Sequence, residues 1–159
     1  MHESVMGYVA EMVGAYDLKD GNVLEVGSLN ENGTPRQFFA GPYVGVDMRA
    51  GRDVDEVMTS HDLRFPDESF DVVISTEMLE HDPFPWVSMA EMGRVLKPGG
   101  VLILTARGNG FKLHAYPDDY WRFMPSSFPL LLRLAGCVPL DVREDPQAPG
   151  MFGCGRKES

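Results

Sequence analysis

Over residues 4 to 16, apolar side chains recur at helical spacing. Val5, Met6, Tyr8, Val9, Met12, Val13 and Tyr16 form one broad stripe. That period predicts an amphipathic helix with Ser4 or His2 near its start. Asp20-Gly21-Asn22 predicts a turn. The pattern then changes to short continuous apolar runs. Val23-Leu24-Glu25-Val26 predicts a buried strand that runs into Gly27, and Tyr43-Val44-Gly45-Val46 predicts a second that ends at Asp47. Between them, Thr34 to Ala40 leaves room for a short helix at most. Val54 to Met58 predicts a third strand, too close to the second for a crossover helix of the usual length.

Phe70 to Ser75 is the next apolar run, and Asp82 to Leu96 reads as a helix. In that helix Asp82 is the expected cap, Pro83 and Pro85 sit in the first turn, and Trp86, Met89, Ala90, Gly93 and Leu96 are the expected inward face. Lys97-Pro98-Gly99-Gly100 predicts its stop and Val101 to Thr105 a buried strand. A loop from Ala106 to Met124 precedes a helix over Pro125 to Ala135. Cys137 to Val142 and Met151 to Cys154 predict a closing antiparallel pair of strands. Strands alternating with helices imply an α/β fold whose sheet is mostly parallel, with right-handed crossovers.

A chain of 159 residues corresponds to one domain over residues 1 to 159, and 43% apolar content suits a packed core. The 24 acidic against 14 basic residues, with no basic cluster, disfavour nucleic acid, because phosphate backbones are bound by replacing counterions with Lys and Arg. No apolar run is long enough to span a bilayer and no leader pattern is visible, so the expected location is cytoplasmic. The two cysteines, Cys137 and Cys154, lack metal-ligand spacing and are expected to be reduced, packed thiols. The four histidines are scattered with no pair at ligand spacing on one helix, so no metal is expected.

In open parallel sheets, ligands bind beyond the carboxyl ends of the strands. Glu25 and Gly27 lie at the end of the first strand, and Asp47 at the end of the second. A glycine there lets backbone approach a ligand, and a carboxylate after strand two can accept two hydrogen bonds from a ribose diol. These features suit a nicotinamide dinucleotide as well as other adenosyl ligands. The loop Gly27-Ser28-Leu29-Asn30-Glu31-Asn32-Gly33 lacks the second glycine of the dinucleotide fingerprint, which weakens that reading.

The order of segments is more specific. Val23 to Gly27, Tyr43 to Asp47, His61 to Val73, Glu77-Met78-Leu79-Glu80-His81 and Arg94 to Gly100 together resemble the class I S-adenosylmethionine (SAM) dependent methyltransferases. The resemblance covers about residues 20 to 106, and Phe152 to Lys157 is similar to the family's last strand. It implies a Rossmann-like seven-stranded sheet, antiparallel at its last strand and with shortened helices between strands one and three. It also implies SAM as cofactor. By position, Glu25 would face the methionine amino group, and Gly27 and Ser28 would line the methionine and ribose. Asp47 would hold the ribose hydroxyls, Met48 would pack on the adenine, and Thr59-Ser60-His61 would meet the adenine edge. Thr76 would lie beside the sulfonium. Two departures stand out: Leu29 replaces a glycine of the family's loop, and Thr59 stands where the family usually has Asp.

Methyl transfer needs the nucleophile held close to the methyl carbon and, for a hydroxyl acceptor, a general base. The loop after strand five supplies candidates: His114 and then Asp119 as base, Arg122 as a clamp for an anionic group, and Tyr116 and Tyr120 as pocket walls. The implied substrate is a small polar molecule, such as a sugar or other hydroxyl-bearing metabolite. The competing expectation is a SAM-binding module without catalysis of its own, or one acting with a partner chain. A sheet face left open by the short connections would favour a homodimer.

Overall fold

The computed structural model describes residues 3–114 and 118–159. Helix α1 spans Glu3–Ala15 and buries Val5, Tyr8, Val9, Met12 and Val13, the stripe its period predicts. Strand β1 is Val23–Val26 and β2 is Tyr43–Asp47. A single 3-10 turn, Pro35–Phe38, takes the place of a crossover helix, with the Thr34 hydroxyl accepting the Arg36 amide. Strand β3 is reduced to Glu56–Val57, and β4 is Phe70–Thr76. Helix α2 is Pro85–Val95, β5 Leu96–Arg107, α3 Ser127–Leu134, β6 Cys137–Glu144 and β7 Gly150–Lys157.

The strands form one sheet in the order β3-β2-β1-β4-β5-β7-β6. From β3 to β5 all pairings are parallel; β7 runs antiparallel to both β5 and β6. Strand order reverses between β1 and β4, which opens a crevice at their carboxyl ends.

Both faces of the central strands are covered, so their sequences are nearly continuous apolar runs. Alternation sorts the side chains. Val72, Ile74, Val101 and Ile103 pack toward α1, where Tyr8 stacks on Phe152 with ring centroids 4.7 Å apart. Val73, Leu102 and Leu104 face the other way, into a core with Met89, Met92, Phe128 and Leu132 of α2 and α3. Both cysteines are free and buried, as expected.

Three local expectations are corrected. Asp82 is not the cap of α2: the helix starts at Pro85, after Phe84. The Asp82 carboxylate instead accepts the Phe84 amide at 2.8 Å. The inward face of α2 is corrected in part: Met89, Gly93 and Leu96 are buried as expected, but Trp86 and Ala90 are exposed, and Ser88, Met92 and Val95 are buried with the others. The Lys97–Gly100 segment does not form a separate stop: β5 begins directly after α2, with Leu96 paired to Phe70 and a register shift before Val72 pairs with Val101.

Gly93 is where α2 meets the end of α3. A Cβ there would collide with the backbone carbonyl of Ala135, so only glycine lets the helices approach this closely. We predict that Gly93→Ala destabilises the fold by about 1–3 kcal/mol through overpacking, read as a lower midpoint of urea unfolding. An unchanged midpoint would contradict this packing.

Candidate functional site

The carboxyl ends of β1, β2 and β4 converge on a cavity of about 620 Å³. That size lies within the roughly 300–1,000 Å³ of small-molecule sites. Every cofactor residue expected from the sequence lines it: Glu25, Gly27, Ser28, Asp47, Met48, Ser60, His61 and Thr76. Their placement follows from the strand register. Glu25 pairs across β1 with Gly45 and Ile74, and Val26 with Val46, so Gly27 and Asp47 emerge side by side at the sheet edge.

Gly27 adopts a left-handed φ of +84°, and a Cβ there would sit 2.7 Å from Met78 Cγ. Glycine thus keeps the floor open beside Met78. The next residue, Ser28, is buried, yet its hydroxyl has no hydrogen-bond partner among the described residues. A buried hydroxyl without a partner costs free energy, and this one borders the cavity. Asp47 holds the loop against β2: its carboxylate accepts the Leu29 amide at 3.3 Å and the Arg49 amide at 3.1 Å. Each carboxylate oxygen retains a lone pair for a further donor. Met48 is 63% exposed, an apolar side chain at the cavity mouth.

Glu25 is buried and accepts a hydrogen bond from the Tyr43 hydroxyl at 2.9 Å. Burial pushes its carboxyl up to about 8, with the Tyr43 bond and the Arg36 charge opposing. A polar network closes the far wall. His61 Nε2 lies 2.7 Å from Asp82 Oδ1, and the Ser88 hydroxyl bonds both Ser60, at 2.7 Å, and Asp82.

The other end of the cavity is lined by Glu77, His81, His114, Asp118 and Tyr120. Two short segments build it. Just past β4, Glu77 adopts a left-handed φ of 55°, and a 3-10 turn follows over Leu79–His81. The loop after β5 is clipped onto that turn. The Tyr120 and Trp121 amides donate to the Glu80 carbonyl at 2.8 and 3.2 Å, and Trp121 Nε1 donates to the Asp82 carbonyl at 2.8 Å.

This end corrects several expectations. Arg122 does not line the cavity. All five of its N–H groups are engaged: with both Asp119 oxygens at 2.5 Å and with the carbonyls of Phe111, Trp121 and Lys112. It has none left to clamp a substrate. Asp119 is likewise unsuited to act as a base, because the Arg122 guanidinium holds its carboxyl well below the usual carboxylate range. It positions His114 instead, accepting that residue's amide at 2.8 Å and lying 3.5 Å from its Nδ1. His114 does line the cavity; burial and the neighbouring His81 lower its pKa, which favours the neutral imidazole. Tyr120 lines the cavity as expected, whereas Tyr116 lies outside the described residues. Phe123 is a core residue packed on Phe128.

Sequence reasoning passed over Glu77 and Glu80 as site residues. Their signal was a pair of carboxylates one helical turn apart, directly after a strand end at the crevice.

An open sheet in this strand order, with an acidic residue closing β2 and a glycine closing β1, defines a Rossmann-like nucleoside-cofactor fold. Residues 25–104 match the methyltransferase domain family, and the chain belongs to it, within the class I SAM-dependent methyltransferases. An uncharacterized methyltransferase of Mycobacterium sp. (strain KMS) is 44% identical over 71 residues, which is 45% of this chain and 26% of that protein. The matched stretch therefore spans about a quarter of that relative's length. Among solved structures, the chain resembles the Burkholderia thailandensis 1,6-didemethyltoxoflavin-N1-methyltransferase bound to 1,6-didemethyltoxoflavin and S-adenosylhomocysteine. The TM-score is 0.80 at 18% identity, covering 99% of this chain and 80% of that one. A SAM-dependent methyltransferase of Methanosarcina mazei gives a TM-score of 0.74 at 17% identity, covering 92% of this chain and 97% of the other. SAM is the cofactor that goes with this family and fold.

The buried carboxyl of Glu25 gives a pH signature. Its ordinary value is 4.5 and its folded value about 8, so the fold favours the protonated form. That contribution is fully present below the unfolded value and is lost as pH rises through the folded one. We predict that Glu25→Gln reduces the loss of unfolding free energy between pH 5 and pH 8 by roughly 3 kcal/mol, measured by urea unfolding at both pH values. Glu80, also raised by burial, leaves a residual slope. Identical pH profiles for the two proteins would contradict the assignment.

Proposed function

We propose that this protein transfers a methyl group from SAM to a hydroxyl of a small polar molecule, a sugar or similar metabolite being the favoured class. The carrying observation is the two-ended cavity, with a nucleoside-binding half at the strand ends and a histidine half beside it. When bound, SAM supplies a methyl group already activated on a sulfonium.

The chain's own residues then divide the remaining work. The Asp47 carboxylate receives the ribose hydroxyls, and Met48 packs against the adenine. Ser60 and His61 meet the adenine edge through their network with Asp82. Glu25 pairs with the amino group of the methionine portion. Gly27 and Ser28 line the chain between them, with the unpartnered Ser28 hydroxyl gaining a bond. Thr76, buried at the end of β4, sits at the junction of the two halves. The acceptor lies at the other end, between Tyr120 and His114. There, a neutral His114 imidazole oriented by Asp119 can take up the hydroxyl proton.

The altered loop does not weigh against this reading. Gly27 retains the left-handed conformation, and SAM has no pyrophosphate that the missing glycine would need to admit. A SAM-binding module without catalysis would share the first half of the cavity, but the histidine half gives it no role.

We expect wild-type protein to bind S-adenosylhomocysteine with 1:1 stoichiometry in isothermal titration calorimetry. Asp47→Ala should weaken that binding by about 1–3 kcal/mol through lost charged hydrogen bonds. No binding by the wild type, or unchanged affinity in the variant, would count against the reading.

A further inference from the structure

The histidine end carries a feature that proton transfer to His114 leaves unexplained. Glu80 has 0% exposure, and among the described residues no side chain hydrogen-bonds its carboxylate oxygens. Burying a carboxylate without partners is costly unless a cation or proton compensates. Arg107, the nearest guanidinium, is committed to Glu77 and Asp145. The Glu80 Oε1 atom faces His81 Nε2 across 4.0 Å. That is too long for a hydrogen bond and wider than the roughly 3.4 Å between two tetrahedral ligands at bonds of about 2.1 Å, so side-chain rotations would close the groups onto an ion. The third group is His114. Ligand atoms of Glu80, His81 and His114 all lie within 4.8 Å of one another.

His81 is also braced through its other ring nitrogen, and His114 lies beside a fixed carboxylate. His81 Nδ1 lies 2.6 Å from the Asp118 carbonyl, which directs Nε2 toward Glu80. His114 has the Asp119 carboxylate 3.5 Å from its Nδ1, and Arg122 fixes that carboxylate in turn. Outer hydrogen-bond or carboxylate partners that fix tautomer and ring direction are what metal-ligating histidines characteristically have.

We propose that Glu80, His81 and His114 bind one divalent transition-metal ion, of the Zn²⁺, Co²⁺ or Ni²⁺ type, at the acceptor end of the cavity. Two imidazole nitrogens and one carboxylate favour such ions over Mg²⁺ or Ca²⁺, which prefer oxygen ligands throughout. Three protein ligands leave coordination positions open toward the cavity. This inference rests on the methyl-transfer reading for the identity of the acceptor, and it replaces His114 as a lone base. The acceptor hydroxyl coordinates the ion and gives its proton to solvent water. An oxygen lone pair then forms the new O–C bond to the SAM methyl as the C–S bond breaks. The C–S electrons stay on sulfur, and the products are the methyl ether and S-adenosylhomocysteine. The substrate class narrows accordingly, to hydroxyls, and especially vicinal diols, able to coordinate a metal.

The test uses tag-free full-length protein stripped with a chelator. Titration with Co²⁺, followed by its visible ligand-field bands, should show one site per chain. Glu80→Gln, which keeps shape, and His114→Ala, on a loop, should each weaken Co²⁺ binding at least about tenfold. Both should keep the wild-type far-UV circular dichroism spectrum and a cooperative urea transition, which shows that they fold. Absence of a stoichiometric Co²⁺ site in the wild type, or binding that survives both substitutions, overturns the proposal. Failure of the wild type to bind S-adenosylhomocysteine bears on the methyltransferase reading instead, because Co²⁺ binding is read without cofactor.

Discussion

A guanidinium with no access to water must be neutralised where it lies, and much of this protein's site is organised around one. Arg107, at the end of β5, has 0% exposure. It pairs with Glu77 at the end of β4 and with Asp145 on the connection from β6 to β7, and it lies 4.9 Å from the Phe111 ring centroid. Breaking such a buried pair by removing one partner typically costs about 3–5 kcal/mol. The arrangement therefore fixes the ends of the two central strands relative to each other. It also accounts for the left-handed backbone at Glu77. Strain of that kind persists where surrounding structure over-determines it, and here the Glu77 side chain is held by Arg107 and by the Thr105 hydroxyl at 2.9 Å. The turn that follows has little choice of direction, and it delivers Met78 to the floor of the cavity and His81 to its wall.

From this anchor the two halves of the cavity differ in how they are made. The nucleoside half is a product of the sheet: parallel register puts Glu25, Gly27 and Asp47 at adjacent strand ends, and short backbone hydrogen bonds complete it. The histidine half is assembled from two segments far apart in sequence and tied by backbone carbonyls. The Glu80 carbonyl accepts two loop amides, while the Asp118 carbonyl faces His81. Arg122 and Asp119 matter here as internal ties of the loop, not as groups offered to a substrate. One imidazole presented against a second, with ring centroids 4.8 Å apart, is suited to holding a hydroxyl or a cation at a defined point.

Legibility in the sequence followed the same division. Strand positions, their parallel character and the antiparallel close were readable because each strand is a short apolar run bounded by glycine or a polar turn. The strand-end residues were readable because topology places them without any knowledge of side-chain contacts. On helix α2 the inward face was read correctly at Met89, Gly93 and Leu96 but not at Trp86 and Ala90. Exposed Trp86 belongs to a surface cluster with Phe84 and Trp121, a tertiary arrangement that overrides the hydrophobic count. Asp82 looked like a helix cap because of its neighbours in the chain; its partners His61 and Ser88 are set by the fold. Asp119 looked like a base and Arg122 like a substrate clamp because long loops at this edge of a sheet often carry function, yet at this spacing they satisfy each other. Glu80, His81 and His114 could not be joined by spacing rules, since only the docking of the loop onto the 3-10 turn brings them together.

The central claim is that the strand-end cavity holds the nucleoside cofactor with its sulfur directed at the histidine end. A crystal structure of the protein grown with S-adenosylhomocysteine tests it most directly. The account predicts the ribose hydroxyls on the Asp47 carboxylate, the amino group against Glu25, and the sulfur near Thr76, facing His114. Density for the ligand elsewhere on the molecule, or in this cavity with its sulfur turned away from the histidines, would contradict it.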